Sequence, residues 1–302
     1  MTTVPLDPAG RTPETGDTWQ TRAGGIARSL AGPTEGKIGS AIILAFVFIV
    51  AFGPLLAPYS PYAIGVGIPN AGPSSAHLLG TDDIGRDILS RLLCGARSVI
   101  LIPLLATLLA FALGGFIGVL VGYRRGLADT IVTRVIDVLL ALPPLLIVLV
   151  VIATAGASPG VVIISVALVY SPRVARVLRG ATQGIGTQEY VLAAQARGES
   201  TPSIVLRELL PNLTPTLLVE FAVRLTYVTI FVTTLNFLGL GVQPPSPNWG
   251  RMLFEARTTI VTNPVATIAP AVALGALAVA IGLLADSVAR SLRVETHEEF
   301  LR

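Results

Sequence analysis

Few side chains of this 302-residue sequence have the type and spacing that chemistry requires. His77 is followed by Asp82, Asp83 and Asp87, which offer the nitrogen and oxygen donors of a metal site. Helix capping and ion pairs with neighbouring arginines explain the same aspartates more simply. Cys94 is the single cysteine, which excludes an internal disulfide and a cysteine-based metal cluster. Because no nucleophile–base set is recognisable either, we predict no catalytic residue, no metal site and no cofactor in this chain.

A second candidate is the pair of opposite charges Glu220 and Arg224, which lies inside the apolar run 216–240. Residues four apart share one face of a helix, so the two side chains can pair. Arg224 comes ten residues after Thr214, about 15 Å along a helix, which is near mid-bilayer if the run crosses a membrane. Charge at that depth normally faces a cavity or the protein interior. Two interpretations stay open: the pair lines a translocation path, or it packs against another helix.

The composition indicates that membrane-spanning helices position these residues. Hydrophobic residues make up 52% of the sequence and charged residues 13%, about half of the roughly 25% that soluble domains carry. Apolar runs recur at lengths that fit the ~20 helical residues needed to cross a bilayer. They predict an all-α polytopic membrane protein with six transmembrane helices, at 38–58, 99–123, 134–155, 161–178, 216–240 and 266–290.

The fourth of these runs is the most polar. Pro172 is expected to kink its helix, because proline lacks the backbone N–H and its ring clashes with the preceding turn. Three arginines are expected to lie on one side of the helix and to extend toward an interface, with their stems against apolar surface: Arg173, Arg176 and Arg179.

The distribution of positive charge indicates the orientation. With a cytoplasmic N-terminus, 15 of the 21 lysines and arginines fall in cytoplasmic segments, 5 in external loops and 1 inside a span, which is the arrangement that the positive-inside rule favours. The polar segment 1–37 has no apolar run near its start, as a signal peptide would, and is expected to be a largely disordered cytoplasmic tail. Residues 291–302 form a second cytoplasmic tail. The segment 59–97 is then external.

Two external stretches have enough pattern for a structural prediction. Residues 81–95 are expected to form a helix lying flat at the outer interface, with Thr81 as its N-cap and aspartates paired with arginines four residues later. Trp249 lies in a stiff loop, 241–250, rich in proline and glycine. Either Trp249 is an anchor at the membrane interface, or the loop is part of a surface that meets another protein, and the sequence favours neither interpretation.

The cytoplasmic loop 187–211, between the fourth and fifth spans, is polar and rich in small residues. Thr187 is expected to cap a short helix, and Glu189 in its first turn suits the positive end of the helix dipole. Gly198 suits the left-handed residue that ends such a helix.

A second helix of this loop is expected to begin with Thr201 as its cap and to end at Pro211. Ala194 and Gly198 are four apart, so the first helix is expected to carry a face without side chains, against which another protein can approach the backbone. The alternative is that both helices merely lie on the membrane surface.

The spacing of small residues in this loop resembles a known motif. Leu192-Ala193-Ala194, then Gly198 after three residues and Leu210-Pro211 after eleven more, is similar to the EAA…G…LP loop of ATP-binding-cassette (ABC) importer permeases. Leu192 stands where the family usually has a glutamate. In that family the loop forms the coupling helix that fits a groove on the cytoplasmic ATPase. The resemblance implies an ATPase-docking role for Glu189, Tyr190, Leu192, Ala193, Ala194, Ala196, Gly198, Leu210 and Pro211.

Three further stretches narrow the resemblance to the C-type permease subunits of dipeptide, oligopeptide and nickel importers. They are HLLGTDDIGRDILSRLLCGARS at 77–98, DVLLALPPLL at 137–146 and LNFLGLGVQPPSPNWGRMLFEAR at 235–257. The resemblance covers roughly 38–293, although the ending LLADSVARSLR departs from the Gly-Asp-Gly-like ending of the family. It implies a type I ABC importer permease fold in the bacterial inner membrane, with the type-1 transmembrane domain at 96–290.

The resemblance also implies a function and a set of partners. The chain would perform no chemistry and would form half of a translocation path for di- or oligopeptides. Its partners would be a homologous second permease, two ATPase subunits that bind ATP and Mg²⁺, an extracytoplasmic substrate-binding protein or lipoprotein, the peptide and membrane lipid, and no nucleic acid. Two alternatives stay open: a nickel-chelate permease of the same subgroup, and a self-contained secondary transporter, which would commonly show internal repeats and midplane charge sites.

Overall fold

The structure is a computed structural model that describes residues 34–300, with side chains between residues 36 and 290 apart from residue 288. The predicted N-terminal tail lies outside the described residues over 1–33, as do the last two residues. The described part of the chain is helical. Its helices are, in chain order, α1 Thr34–Leu56, α2 Ile88–Arg124, α3 Leu127–Ala141, α4 Pro144–Ala155, α5 Pro159–Ile185, α6 Glu189–Ala196, α7 Thr201–Phe237, α8 Trp249–Ala256 and α9 Val265–Phe300.

The number of membrane-crossing elements agrees with the sequence. Among the described residues, α1, α2, α5, α7 and α9 are long and apolar enough to cross a membrane, and the bent pair of α3 and α4 makes a sixth if it is one broken span. The prediction of an all-α protein with six spans is confirmed in this form. Helix α5 continues to Ile185, beyond the expected bounds 161–178, and α7 begins at Thr201 and ends at Phe237 instead of the expected 216–240. Helix α9 continues through 291–300, where a tail was expected.

The expected third span, 134–155, is wrong as a single helix. Helix α3 ends before Leu142 and α4 begins at Pro144, with an angle of 84° between the two helices. Leu142 and Pro143 are both extended, with ψ of 136° and 122°. A residue before proline is pushed out of the helical region, and proline has no N–H to donate. Two consecutive prolines therefore break the helix inside the apolar run.

Helices α2 and α5 form a close-packed pair through a row of glycines. Gly114, Gly118 and Gly122 repeat at every fourth position of α2, and a Cβ at any of them would collide with the backbone of α5. Apolar burial drives helix association only weakly inside a membrane, so small residues that let two backbones approach closely take its place. Pro172 lies in α5 opposite this row, and the helix continues through it from Pro159 to Ile185. The close packing of α2 on α5 holds the polar residues of α5, and the start of the loop that follows α5, in position.

The expected interfacial helix 81–95 is wrong in its first half, which forms a turn. Gly85 has a φ of +74°, a left-handed conformation that no right-handed helix passes through. Helix α2 begins after this turn, and Asp87 rather than Thr81 is its N-cap: the Asp87 carboxylate accepts from the backbone N–H of Ser90 at 2.8 Å and from its hydroxyl at 2.7 Å. From there α2 is one helix of 37 residues, about 55 Å long. The second span and the remainder of the interfacial helix are therefore continuous.

The side chain of Trp249 is part of the core, so the interpretation of it as an anchor at the membrane interface is wrong. It is 1% exposed, and its indole N–H donates to the Leu92 carbonyl of α2 at 2.7 Å. Its ring lies 5.7 Å from the ring of Phe46 on α1, between centroids. A Cβ on Gly95 would press against the indole. Trp249 therefore fastens α8 to the first two spans.

Helix α7 continues through Pro211, where it was expected to end. The five residues Val205–Leu209 form a π-helical turn, in which the Leu210 N–H donates to the Val205 carbonyl. A proline lacks the N–H that would bond four residues back, and its ring clashes with the carbonyl there. The wider π turn lies just before Pro211 and accommodates this defect. The residue at the N-cap is Ser200, and no side chain caps the helix, so the predicted cap by Thr201 is also wrong.

Candidate functional site

The start of α6 is only partly as the sequence predicted. Glu189 lies in its first turn, as expected. The N-cap is Gln188, which makes no side-chain cap hydrogen bond, and the Thr187 hydroxyl instead donates to the Gly184 carbonyl at 2.8 Å. The predicted cap by Thr187 is therefore wrong. The preceding helix α5 ends immediately before this segment, so the entry of α6 is fixed by the end of α5.

The end of α6 has the geometry that the sequence predicted. Gly198 has a φ of +77°, and its N–H donates to the Gln195 carbonyl at 2.9 Å. The Glu199 N–H reaches back to the Ala194 carbonyl at 3.2 Å, which satisfies a second carbonyl of the last turn. No atom lies within 4 Å of a Cβ placed on Gly198. The glycine is required by its backbone conformation, and the space around it is open.

The face of α6 that points away from the protein differs from the predicted one. Val191 and Ala194 are fully buried and pack against Ile204, Leu209 and Leu213 of α7. Ala194 is therefore part of the protein's own core and cannot contribute to a docking surface together with Gly198. The opposite side of the helix is exposed and carries Glu189, Leu192, Ala193 and Ala196. Tyr190, 39% exposed, lies beside this face.

The last two residues of the motif lie on α7 rather than at the end of a helix. Leu210 is half-buried and Pro211 is exposed, directly after the π-helical turn. The buried Leu209 and Leu213 on either side of them hold the start of α7 against α6. The motif residues therefore belong to two helices that pack on one another through a shared apolar cluster.

The pairing of Glu220 and Arg224 is confirmed. The Arg224 Nε donates to a Glu220 carboxylate oxygen along α7, and the two side chains are 17% and 11% exposed, respectively. The Arg224 guanidinium also lies 5.9 Å from the ring centroid of Tyr227. An aromatic face attracts a cation at such a distance. Tyr227 was missed by the sequence analysis, although its position three residues after Arg224 on one helix could have indicated it.

Two of the three α5 arginines bind carboxylates rather than extending toward an interface. Arg179 forms an ion pair with Asp129 of α3, which also accepts from the Gln183 amide at 3.2 Å. Arg176 forms an ion pair with Asp137 of the same helix. The bend between α3 and α4 brings α3 against α5, which is why these partners could not be inferred from a single span at 134–155.

A buried ion network joins the external segment to α8. Arg86 binds Asp82 at 2.6 Å and Glu255 at 2.8 Å. Arg91 binds the same two carboxylates, Asp82 at 2.5 Å and Glu255 at 2.9 Å. The two arginine side chains are 7% and 2% exposed. Since Arg86 and Arg91 each bind both Asp82 and Glu255, the network joins the distant helix α8 to the turn before α2 and to the start of α2.

His77 takes part in the same region without a metal-like arrangement. Its Nδ1 lies 2.9 Å from a carboxylate oxygen of Asp87, the N-cap of α2. Its ring lies 4.8 Å from the ring of Tyr59, between centroids. In the part of the chain that the structure describes, no group of three or more His, Cys, Asp or Glu side chains is placed to hold a metal ion.

The network shifts the protonation of two carboxyl groups in opposite directions. Burial alone would raise the pKa of Glu255, but Arg91 and Arg86 outweigh it and hold that pKa below its ordinary value. Burial and the neighbouring Asp82 raise the pKa of Asp83, which is 40% exposed and 3.7 Å from Arg86. A lowered pKa in the folded state stabilises the fold above the unfolded pKa, and this contribution disappears as the pH falls through the folded pKa. Glu255 therefore stabilises the fold near neutral pH, and Asp83 has the opposite sign.

The sequence and fold are similar to those of known transport proteins. Residues 114–294 match the family described as binding-protein-dependent transport system inner membrane component. The glutathione transport system permease protein GsiD of Pectobacterium atrosepticum is 39% identical over 223 residues, which cover 74% of each chain. GsiD of Escherichia coli O157:H7 is 36% identical over 251 residues, or 83% of each chain.

A solved structure supports the architecture. The fold resembles a chain of the inward-facing MetNI methionine ABC transporter with a TM-score of 0.56 and 18% sequence identity. The likeness covers 67% of this chain and 96% of that one. At this identity the likeness concerns the fold alone, and it confirms the predicted all-α permease architecture.

Proposed function

Since the chain belongs to the family of binding-protein-dependent transport system inner membrane components, we propose that it carries small peptides, with glutathione as the first candidate, across the bacterial inner membrane. The chain is a multi-pass permease subunit of an ABC importer. The observation that carries the substrate proposal is the identity of 36–39% to permeases named for glutathione transport. Glutathione is a tripeptide, so the proposal is narrower than di- and oligopeptides in general. The relatives favour it over a nickel chelate.

The proposed complex contains this chain, a second permease, two ATPase subunits that bind ATP and Mg²⁺, and an extracytoplasmic binding protein. Family membership argues against a self-contained secondary transporter. ATP hydrolysis is assigned to the separate subunits, and this chain converts their movement into movement of its helices.

The proposed contact with an ATPase subunit is the exposed face of α6. Four features support this assignment. The face is short, it carries two alanines, it lies opposite the buried Val191 and Ala194, and α6 packs directly on α7. Small side chains let a partner approach the helix backbone. The packing on α7 provides a mechanical connection from that face to the interior of the membrane domain.

The proposed wall of the translocation path is the part of α7 that carries Glu220 and Arg224. The two charges compensate each other, but charge near mid-bilayer still requires protein or water rather than lipid around it. Their partial exposure supports a position beside a shared path between two permeases.

Copurification tests the proposed function. We expect the affinity-tagged chain, expressed with its neighbouring transport genes, to retain two ATPase subunits and a second permease in detergent. ATP hydrolysis by this complex is expected to rise several-fold with binding protein loaded with glutathione, compared with empty binding protein. Uptake of glutathione by the tagged chain alone, without ATPase subunits, would contradict the proposal. Stimulation by a different peptide and not by glutathione would contradict only the choice of substrate.

Cysteine labelling tests the orientation. In a Cys94→Ala background, Ser75→Cys lies in the exposed external segment and Ser200→Cys in the exposed cytoplasmic loop. We expect a membrane-impermeant maleimide to label position 75 in intact cells, and position 200 only after permeabilisation. The two positions serve as mutual controls for cell integrity. The reverse pattern would overturn the assignment of both termini to the cytoplasm.

A further inference from the structure

One of four arginines on α5 and in the membrane-crossing part of α7 has no carboxylate partner among the described side chains. Arg224 is paired with Glu220, and Arg176 and Arg179 are paired with Asp137 and Asp129. Arg173 is the fourth guanidinium of this group. Among the side chains that the structure describes, no carboxylate forms an ion pair with it.

Arg173 lies deep in the membrane domain. It follows Pro159, the start of α5, by 14 residues, which is about 21 Å along a helix and roughly two thirds of a 30 Å hydrocarbon layer. Arg224 follows Leu210 by 14 residues and precedes Phe237 by 13, so it is central in the part of α7 that follows the π turn. A cation at either depth is too costly to face lipid chains.

Tyrosines connect the two arginines into one cluster. The Arg173 guanidinium lies 5.5 Å from the ring centroid of Tyr170, and the Tyr170 ring contacts Phe231 of α7 at 5.7 Å between centroids. On α7 the Arg224 guanidinium lies 5.9 Å from the ring centroid of Tyr227. The cluster therefore spans α5 and α7, with Tyr170 buried at its centre and Tyr227 56% exposed.

The hydrogen-bonding capacity of Arg173 is almost unused. A guanidinium has five N–H donors, and the one described hydrogen bond from this group is a long one of 3.4 Å to the Val169 carbonyl. A planar fork of free donors fits a carboxylate in a bidentate manner. Arg173 is half-buried, so part of its side chain is accessible.

We propose that Arg173, with Tyr170 beside it, binds the C-terminal carboxylate of the peptide during translocation and thereby makes the path selective for anionic peptides. The proposal rests on the importer function proposed above and adds a residue that determines specificity within the membrane. Arg224 is held by Glu220, so it contributes positive potential, whereas Arg173 provides the free donors. An anionic substrate neutralises the positive charge of Arg173. It can dissociate again because the contact is non-covalent and Arg173 is only half-buried.

The test compares substrates that differ by one charge in proteoliposomes with the complete complex. The probes are glutathione and the ethyl ester of its glycine carboxylate, each at a concentration that saturates the binding protein, with uptake and ATP hydrolysis measured together. The variants are Arg173→Gln, which removes the charge, and Arg173→Lys, which keeps it. Arg176→Gln is the matched control, because it removes a charge from the same helix that Asp137 already neutralises.

We expect Arg173→Gln to lower the glutathione taken up per ATP hydrolysed about tenfold, which corresponds to about 1.4 kcal/mol. Uptake of the ester is expected to change less than twofold, since the ester lacks the carboxylate in question. Arg173→Lys should restore part of the loss. Arg176→Gln should retain the preference of the wild type for glutathione over the ester.

Four outcomes would overturn the proposal. Equal losses for both substrates would show that Arg173 has a structural role, and so would a loss of assembled complex in place of a loss of uptake per ATP. A loss that appears only in vesicles with phosphatidylglycerol, and not in pure phosphatidylcholine, would assign Arg173 to a lipid phosphate. If the ester does not load the binding protein, unchanged uptake of glutathione per ATP in Arg173→Gln is sufficient to overturn it. A wild-type complex without stimulated ATP hydrolysis would instead overturn the importer function itself.

Discussion

Arginine at both Ala193 and Ala196 is expected to detach the ATPase subunits while the permease remains folded. Both positions are on the exposed face of α6, opposite the residues that pack on α7. Overpacking of a fitted surface costs about 1–3 kcal/mol per substitution, so two substitutions weaken the association by about 30-fold or more at roughly tenfold per 1.4 kcal/mol. The measurement is the ratio of ATPase to permease in the purified complex, together with ATP hydrolysis stimulated by the loaded binding protein.

Two further variants separate docking from folding. Gln195→Arg places the same charged side chain on the flank of α6, where the glutamine is exposed, and is expected to retain at least half of the ATPase. Ala194→Arg forces a charged side chain into a fully buried position and is expected to reduce the amount of folded permease. If Ala193→Arg with Ala196→Arg retains stoichiometric ATPase and full stimulation, α6 is not the docking helix.

Neutralisation of Asp82 is expected to cause the largest loss of stability among single substitutions in the external part. Asp82→Asn leaves Arg86 and Arg91 buried with Glu255 as their shared carboxylate. Removal of one partner from a buried ion network leaves charge uncompensated and typically costs about 3–5 kcal/mol. The measurement is the midpoint of thermal unfolding of the purified complex, followed by the fluorescence of the buried Trp249, which lies on the same helix as Glu255.

Asp83→Asn is the matched control for this prediction. Asp83 is 40% exposed and only 3.7 Å from Arg86, and a pair with that exposure contributes at most about 1 kcal/mol. Burial and the neighbouring Asp82 raise the pKa of Asp83, so loss of its charge removes a desolvation cost and a repulsion between the two carboxylates. We therefore expect little change or a small gain in stability. Equal losses for Asp82→Asn and Asp83→Asn would show that the network is not the source of the stability.

The ion network of Asp82, Arg86, Arg91 and Glu255 also predicts how the stability of the fold changes at acidic pH. Because the pKa of Glu255 is lowered in the folded protein, its contribution is complete near neutral pH and declines as the pH falls through the folded pKa. The wild type is expected to lose more stability between neutral and acidic pH than Glu255→Gln, in which that contribution is already missing. Parallel pH curves for the two proteins would contradict this assignment.

The membrane spans could be predicted from the sequence because the length of an apolar run indicates by itself whether a helix can cross the bilayer. Local chemistry predicted the left-handed Gly198 and the pair on α7 equally well, since each depends on residues within one helical turn. What failed depended on partners distant in the chain. Asp82 and Asp87 suit the first turn of a helix, but Arg91, which also binds Glu255, binds Asp82 in a turn that no local pattern indicates.

The predictions for Pro211 and Ala194 were wrong for a related reason. Pro211 ends a helix in isolation, whereas here the buried Leu209 and Leu213 keep the segment helical and a π turn accommodates the proline. Ala194 was assigned to a docking face because it is small, and a small residue suits a tight internal contact equally well. Sequence spacing located the loop, and only packing could show which side of it faces outward.

The π turn of α7 also sets an angular phase. An α-helix advances about 100° per residue, and the turn at Val205–Leu209 holds one residue more than an α-helical turn between the cytoplasmic start of α7 and Arg224. If the same five residues were rewound as regular α-helix, everything beyond the turn would rotate by roughly a quarter of a circle about the helix axis. Arg224 would then point to a different neighbour while α6 kept its place. The direction in which the membrane charges point is thus set by the winding of one turn of the cytoplasmic loop, about 25 Å away along the helix axis.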